Sequence, residues 1–162
     1  MILSGFLVIN KDADISSHAV VARIRRLTGQ KKAGHTGTLD PFATGVLPVA
    51  LGDATKIIQF LDESKKGYRG VMRLGESTDT QDCTGRVLFQ RDWCHVNAAL
   101  LDKVASKSTG AQMQIPPMYS AIKQDGVPLY RIARKGGDVK REARKITIDS
   151  LVIEKVDLPY VT

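Results

Sequence analysis

Apolar residues in this chain come in short runs, each closed by glycine, proline or aspartate, and strand-like runs and helix-like periods follow one another in no regular order. That irregular interleaving excludes the steady strand-helix alternation of a doubly wound fold. It predicts an α+β domain, a mostly antiparallel mixed sheet flanked by helices. Residues 5–10 read as a first strand closed by Asn10-Lys11-Asp12. Ser16 and Ser17 are placed to cap a helix in which Val20, Val21, Ile24 and Leu27 recur at helical spacing, and Gly29 closes it. Residues 46–51 suit a buried strand, and Asp53 suits the cap of a helix carrying Ile57, Ile58, Phe60 and Leu61. Further strands are predicted over 67–74, 87–89 and through 146–156, helices over 96–105 and 127–135, a hairpin turn at Gln124-Asp125-Gly126, and a last strand beginning at Tyr160.

The sequence has 162 residues, a length suited to one domain, since domains run from about 50 to 250 residues. Lys and Arg outnumber Asp and Glu by 24 to 17, a formal charge of +7 that favours encounter with a polyanion such as nucleic acid. A solvated basic surface with no partner fits the same count. Cys83 and Cys94 have neither CxxC spacing nor a His pair beside them, which argues against a disulfide framework or a zinc site and suits a reducing cytoplasm. The apolar start through Met1, Ile2 and Leu3 is short and has no basic leader, and no run approaches the roughly 18 residues of a membrane span, so a soluble protein is expected.

Between Lys31 and Gly45 the hydrophobic period gives way to Gly, Thr, Asp and Pro, a long loop. Within Gly34-His35-Thr36-Gly37-Thr38-Leu39-Asp40-Pro41, Gly34 and Gly37 permit tight backbone and close approach, and Thr36 and Thr38 offer hydroxyls to tie the loop. Pro41 restricts Asp40 to extended geometry. An aspartate held this way can serve as nucleophile or general base, and a neighbouring cation would keep it ionised. The same pattern also suits a turn aspartate with no chemistry. The loop has neither the Walker pattern nor the G-x-G-x-x-G fingerprint, so nucleoside triphosphate and NAD are not expected. Asp79 and Asp82 sit in Thr-rich turn sequence without the further ligands of a calcium or magnesium loop, and turn capping is the expected role.

The run KKAGHTGTLDPFATGVLPVALGDATK, residues 31–56, closely resembles the signature segment of the bacterial TruB-type tRNA pseudouridine-55 synthases. The resemblance continues in order through Lys66-Gly67-Tyr68, Leu74-Gly75, Thr78-Asp79-Thr80 with Asp82, Pro116-Pro117-Met118-Tyr119-Ser120-Ala121-Ile122-Lys123, and Leu129-Tyr130 to Gly136. It implies the pseudouridine synthase catalytic fold and an isomerase that converts a flipped-out uridine of the tRNA T loop to pseudouridine, with no cofactor and no metal. Asp40 falls at the family's catalytic aspartate, Tyr68 at the tyrosine that stacks on the extracted uracil, and His35 at the histidine that enters the T-loop region. Gly37 and Thr38 lie in the same substrate-binding segment. Lys11, Lys66, Lys123 and Arg144 are candidate RNA contacts among the basic residues, which position phosphates without reading sequence.

Two departures qualify the resemblance. The family usually shows Lys-Pro, then Gly, then Thr/Ser-Ser near its start, whereas here Lys11-Asp12, Asp14 and Ser16-Ser17 stand, which adds two carboxylates and removes the usual turn formers. The family's Lys-Gly-Thr-Tyr-Ile-Arg-type motif, with a second tyrosine and the arginine paired to the catalytic aspartate, is not among these residues. Residues 1–162 are therefore expected to be the N-terminal part of the catalytic domain, without the C-terminal RNA-binding domain. Two alternatives follow, a tRNA-binding fragment without catalysis and a guide-RNA-dependent synthase. The second usually reads Gly-His-Ser-Gly-Thr-Leu-Asp-Pro, so Thr36 and Phe42 to Pro48 favour the stand-alone type.

Overall fold

The computed structural model describes residues 3–61, 65–120 and 122–162, so Met1, Ile2 and Ala121 of the segments above lie outside the described residues. The chain divides into two compact units, Met1–Gly67 and Tyr68–Thr162.

In the first unit β1 (Gly5–Lys11) is followed by α1 (Ser17–Thr28), β2 (Ala33–His35), β3 (Gly45–Leu51) and a 3-10 helix (Gly52–Phe60). β3 lies between the other two strands and is antiparallel to both. The register sets Ile9 opposite Leu47 and Lys11 opposite Gly45, and on the other side His35 opposite Val49. Strand side chains alternate between faces, so Leu47, Val49 and Leu51 share one face. Those three pack with Val20 and Val21 of α1 and with Ala33, and Ile9, Ile15, Ile24 and Leu39 close around them.

α1 begins where the sequence predicts. Ser16 is extended and its Oγ accepts from the Ala19 N–H at 3.1 Å, while Gly29 at φ 67° takes the left-handed conformation that ends the helix at little cost. Asp53 does not cap the next helix. Its carboxylate lies 3.1 Å from both Lys56 and Lys32, whose hydrogen bonds and charges hold its pKa below the usual carboxylate value. The segment is also tighter than the expected α-helix, a 3-10 helix whose Ile58 reaches toward β2.

The second unit is built from shorter pieces: β4 (Met72–Arg73), β5 (Glu76–Thr78), β6 (Val87–Gln90), α2 (Ala98–Lys107), β7 (Gly110–Gln114), β8 (Lys123–Gln124), β9 (Val127–Pro128), α3 (Leu129–Ala133), β10 (Arg144–Ile148), β11 (Val156–Asp157) and β12 (Tyr160–Val161). β12 joins β11 to β4, β5 pairs with β6, β7 with β10 and β8 with β9, all antiparallel. The α+β, antiparallel class is thus what the described residues form, spread over small sheets. The β8–β9 hairpin turns on Asp125 and Gly126, both at positive φ, as a two-residue hairpin requires. α2 opens on Asn97, whose Oδ1 accepts from the Leu100 N–H at 2.9 Å.

Two expected strands shrink. Of 67–74 only Met72–Arg73 is strand, because Gly67 and Gly70 interrupt an apolar pattern that never settles into alternation. The pattern through 146–156 breaks into β10 and β11, with Asp149 and Ser150 at the break.

Candidate active site

Asp40 stands exposed on the loop between β2 and β3, and the backbone on both sides of it is held. The Ser17 hydroxyl donates to the Leu39 carbonyl at 3.0 Å and accepts from the Leu39 N–H at 2.9 Å. The Asp40 carbonyl accepts from the Ala43 N–H at 3.0 Å. The Pro41 carbonyl accepts from the Lys11 ammonium at 3.0 Å. Three successive carbonyls, those of Leu39, Asp40 and Pro41, are therefore fixed while the carboxylate between them faces solvent. The loop's entry is fixed too, by the Thr36 N–H donating to the Pro48 carbonyl at 3.1 Å. Among the described residues neither the Thr36 nor the Thr38 hydroxyl ties the loop, contrary to expectation, since Ser17 and the backbone do so instead.

His35 ends β2 half-buried. Burial lowers its pKa below the ordinary 6.5, the Gly37 backbone works the other way, and the neighbouring His18 lowers it again. The neutral imidazole is favoured, and its Nδ1 is buried with no hydrogen-bond partner among the described residues. Gly34 packs closely on the 3-10 helix, since a Cβ there would sit 3.2 Å from Ile58 Cδ1. At Gly37, half-buried beside the exposed Thr38, a Cβ would meet nothing within 4 Å. Open space thus adjoins the loop between His35 and Asp40.

One expectation is corrected. Lys11 is 1% exposed, and its ammonium donates to the carbonyls of Asp12, Ile15 and Pro41 at 2.9, 2.8 and 3.0 Å. An ammonium has three donors, all committed here, so Lys11 braces the loop and is not presented to a phosphate. Lys66 is exposed in the first unit. In the second unit Tyr68 is 78% exposed, outside any strand. Lys123 is exposed and lines an open groove with Lys140 and Arg141, and exposed Arg144 reaches Gln114 Oε1 at 3.4 Å. Asp40, His35, Gly37 and Thr38 share one loop, whereas Tyr68, Lys123 and Arg144 belong to the other unit.

Asp79 and Asp82 act as turn ties, as expected. Asp82 Oδ1 accepts from the Thr80 hydroxyl at 2.7 Å and from the Thr84 N–H and hydroxyl at 2.8 and 2.6 Å. Asp79 accepts from the Arg86 N–H at 2.9 Å and pairs with its guanidinium at 3.2 Å. Among the described residues no group of three or more His, Cys, Asp or Glu could hold a metal. The contribution of Ser17 was the part sequence reasoning missed. Two adjacent serines at a helix start, where one suffices as cap, were the available signal.

Chemically, the loop offers an oxygen nucleophile or base on a fixed backbone, with a half-buried histidine at its entry and open space at Gly37. A family profile described as TruB family pseudouridylate synthase, N-terminal domain, matches residues 25–162. The chain is 60% identical over 159 residues to the tRNA pseudouridine synthase B of Geotalea uraniireducens, covering 98% of this chain and 51% of that protein. It is 56% identical to the protein of the same name from Geobacter sulfurreducens, covering 99% of this chain and 53% of that one. The chain thus spans about half the length of the curated relatives it matches. Among solved structures, a Cbf5-Nop10-Gar1 complex matches with a TM-score of 0.61 at 25% identity, covering 97% of this chain and 37% of that one. An H/ACA ribonucleoprotein bound to a substrate RNA containing 2′-deoxyuridine matches with a TM-score of 0.54 at 33% identity, covering 68% and 29%.

Proposed function

Since the chain belongs to the TruB family of pseudouridylate synthases, we propose that it carries the catalytic loop of a cytoplasmic tRNA pseudouridine-55 synthase, with Asp40 as the essential carboxylate. The observation that carries this reading is an exposed aspartate whose flanking carbonyls are all bonded, inside the segment that matches the family. Positioning of a reacting group is worth several kcal/mol of barrier, which is reason enough to hold so short a loop so firmly.

The reaction is an isomerisation. The bond between the sugar's anomeric carbon and N1 of uracil breaks, the base turns while held, and the same carbon bonds C5; C5 then loses its proton and N1 takes one up, so the composition is unchanged. Asp40 acts on the sugar or on the ring as nucleophile or base. The target lies in a folded T loop, so it must leave its stack at a cost of a few kcal/mol. Stacking on the exposed Tyr68 would return about 1–3 kcal/mol of that cost. The open space beside Gly37 suits the approach of the nucleotide, with neutral His35 entering where the base departs. Lys66, Lys123 and Arg144 serve as backbone contacts, which position RNA without reading its sequence.

The test is pseudouridine formation on an unmodified tRNA transcript by this chain and by its Asp40→Ala and Asp40→Asn forms. Product from the wild type alone, with tRNA bound by all three, is the expected result. Product from Asp40→Asn at the wild-type rate would sink the assignment. A second reading, tRNA binding without catalysis, draws on the half-length match and on the fact that no cation pairs with the Asp40 carboxylate among the described residues; binding without product would establish it. A guide-RNA-dependent activity is less well supported, because the solved structures of Cbf5 and H/ACA complexes are 25–33% identical against 60% for the first of the tRNA synthases.

A further inference from the structure

We propose that Ser17 and Lys11 are positioning residues for Asp40, a clamp that fixes the carboxylate's backbone from both sides; the proposal rests on the catalytic reading of Asp40 given above. Ser17 is 2% exposed and opens α1, yet its hydroxyl does not serve the helix. Ser16 already caps α1, which leaves the Ser17 hydroxyl both to donate to and to accept from Leu39. Lys11, at the far end of β1, gives one of its three donors to Pro41 and the other two to Asp12 and Ile15 in the turn that leads to α1.

The two residues do different work. Ser17 holds the peptide that enters Asp40, and so limits rotation on its N-terminal side. Lys11 holds the carbonyl of Pro41, one peptide beyond Asp40, and ties it to the β1–α1 turn. With the Ala43 N–H on the Asp40 carbonyl itself, no peptide next to the carboxylate is left to turn freely. A buried ammonium without a carboxylate partner is costly in a protein interior, and three carbonyls are the least that can solvate it. A hydrophobic residue at position 11 would serve the core equally well, so the cation is better explained by the carbonyls it gathers.

The clamp predicts loss of turnover without loss of binding. Ser17→Ala is expected to lower kcat on the tRNA transcript about 10- to 100-fold, the scale of a misplacement near 1 Å, with KM changed by less than about twofold. Ser17→Thr, which keeps the hydroxyl, restores most of the rate. Lys11→Met gives the same split of kcat from KM independently, in case one variant folds poorly. A wild-type kcat in Ser17→Ala, or a loss accounted for entirely by the fraction unfolded, overturns the clamp. If the wild type forms no product, the catalytic reading is what fails, and the clamp is judged by the carbon-13 resonance of the Asp40 carboxylate. A sharp line that broadens or splits in Ser17→Ala, while the Val49 methyls stay in place, supports it, and an unchanged line refutes it.

Discussion

Residues 1–67 and 68–162 spend their hydrophobic residues differently. The shorter unit holds eight of the twelve buried hydrophobics among the described residues: four on β3, two on α1, Ala33 on β2 and Ala54 on the 3-10 helix. The longer unit has four, Leu101 and Ala105 on α2, Leu129 on α3 and Val161 on β12, and its strands run to only two to five residues. Val87, Leu88 and Phe89 of β6 are all exposed. A core concentrated under one sheet makes a platform that resists local opening, whereas many small sheets open piecemeal. The loop bearing Asp40 is fastened to the platform by Ser17, Lys11 and Pro48. The fixed carboxylate sits on the well-packed unit, and the less packed unit carries the exposed Tyr68 together with exposed Lys123 and Arg144.

The most severe way to break this contrast is to remove part of the platform. Leu47→Ala, at a site 1% exposed in the cluster, is expected to cost about 2–5 kcal/mol, whereas Leu88→Ala on β6 should stay within about 0.5 kcal/mol. Urea unfolding reads both. Trp93 is the chain's one tryptophan and lies in the second unit, so its fluorescence follows that unit, while hydrogen exchange of the Val49 amide follows the first. Fluorescence is expected to change at lower urea than Val49 exchange in the wild type, and Leu47→Ala should bring the two together. Coincident wild-type transitions would show that the units unfold as one.

A smaller effect is expected in the β5–β6 hairpin, which polar ties hold in place of a core. Burial opposes the charged form of Asp82, but hydrogen bonds from Thr84 and Thr80 outweigh it and keep the pKa below 3.8. The carboxylate therefore contributes stability that is complete above about pH 4 and lost as pH falls through the lowered value. Asp82→Ala should cost about 1 kcal/mol at neutral pH, as exposed ties of this kind do, and should remove the acid-induced shift of Trp93 fluorescence. An unchanged acid transition would mean that the hairpin is held by something else.

The same difference decides what was legible in the sequence. α1 and β3 were readable because one face of each is buried, and burial writes a period into the chain: Val20, Val21 and Ile24 at helical spacing, Leu47, Val49 and Leu51 at strand spacing; β1, mostly exposed, was readable as an apolar run closed by Asn10-Lys11-Asp12. In the second unit the turn chemistry was readable at Asp125-Gly126 and at Asp79 and Asp82, since those residues act locally. The strand Gly110–Gln114 was not foreseen, because Gly-Ala-Gln-Met-Gln has no buried face to alternate. In the site, Asp40 was legible through its neighbours and the family resemblance. Lys11 was misread and the tie from Ser17 to Leu39 missed for one reason: each bonds a backbone carbonyl brought near only by the fold, Pro41 30 residues from Lys11 and Leu39 22 residues from Ser17.

A gentler probe of the platform is pH. His35 is favoured neutral in the fold, mainly by burial, so folding excludes a proton that the unfolded chain accepts near 6.5. Stability of the first unit is then greatest above that pH and declines as pH falls through the lowered value. The protection factor of the Val49 amide should fall between about pH 7 and pH 5, and His35→Phe should flatten that dependence. Because His35 is only half-buried, the change should be smaller than that of either truncation above. Dependence that survives in His35→Phe would assign it to other groups.

The smallest expected effect lies in the turn between β1 and α1. Asp14 has a φ of 62°, the left-handed region that glycine occupies freely and that costs a side-chain-bearing residue about 1–2 kcal/mol, somewhat less for aspartate. Replacing it by glycine removes that strain but gives the unfolded chain more freedom, which takes back about 0.5–1 kcal/mol. The net stabilisation of Asp14→Gly is therefore a few tenths of a kcal/mol by this balance, visible as a small rise in urea midpoint. The substitution also removes a carboxylate near the loop that carries Asp40. If that loop meets RNA, tRNA should bind more tightly and with a steeper salt dependence, while Asp14→Asn, which keeps most of the strain, should reproduce the tighter binding without the gain in stability. Equal binding by all three forms would separate this turn from the RNA-facing surface and leave Asp14 as a conformational feature alone.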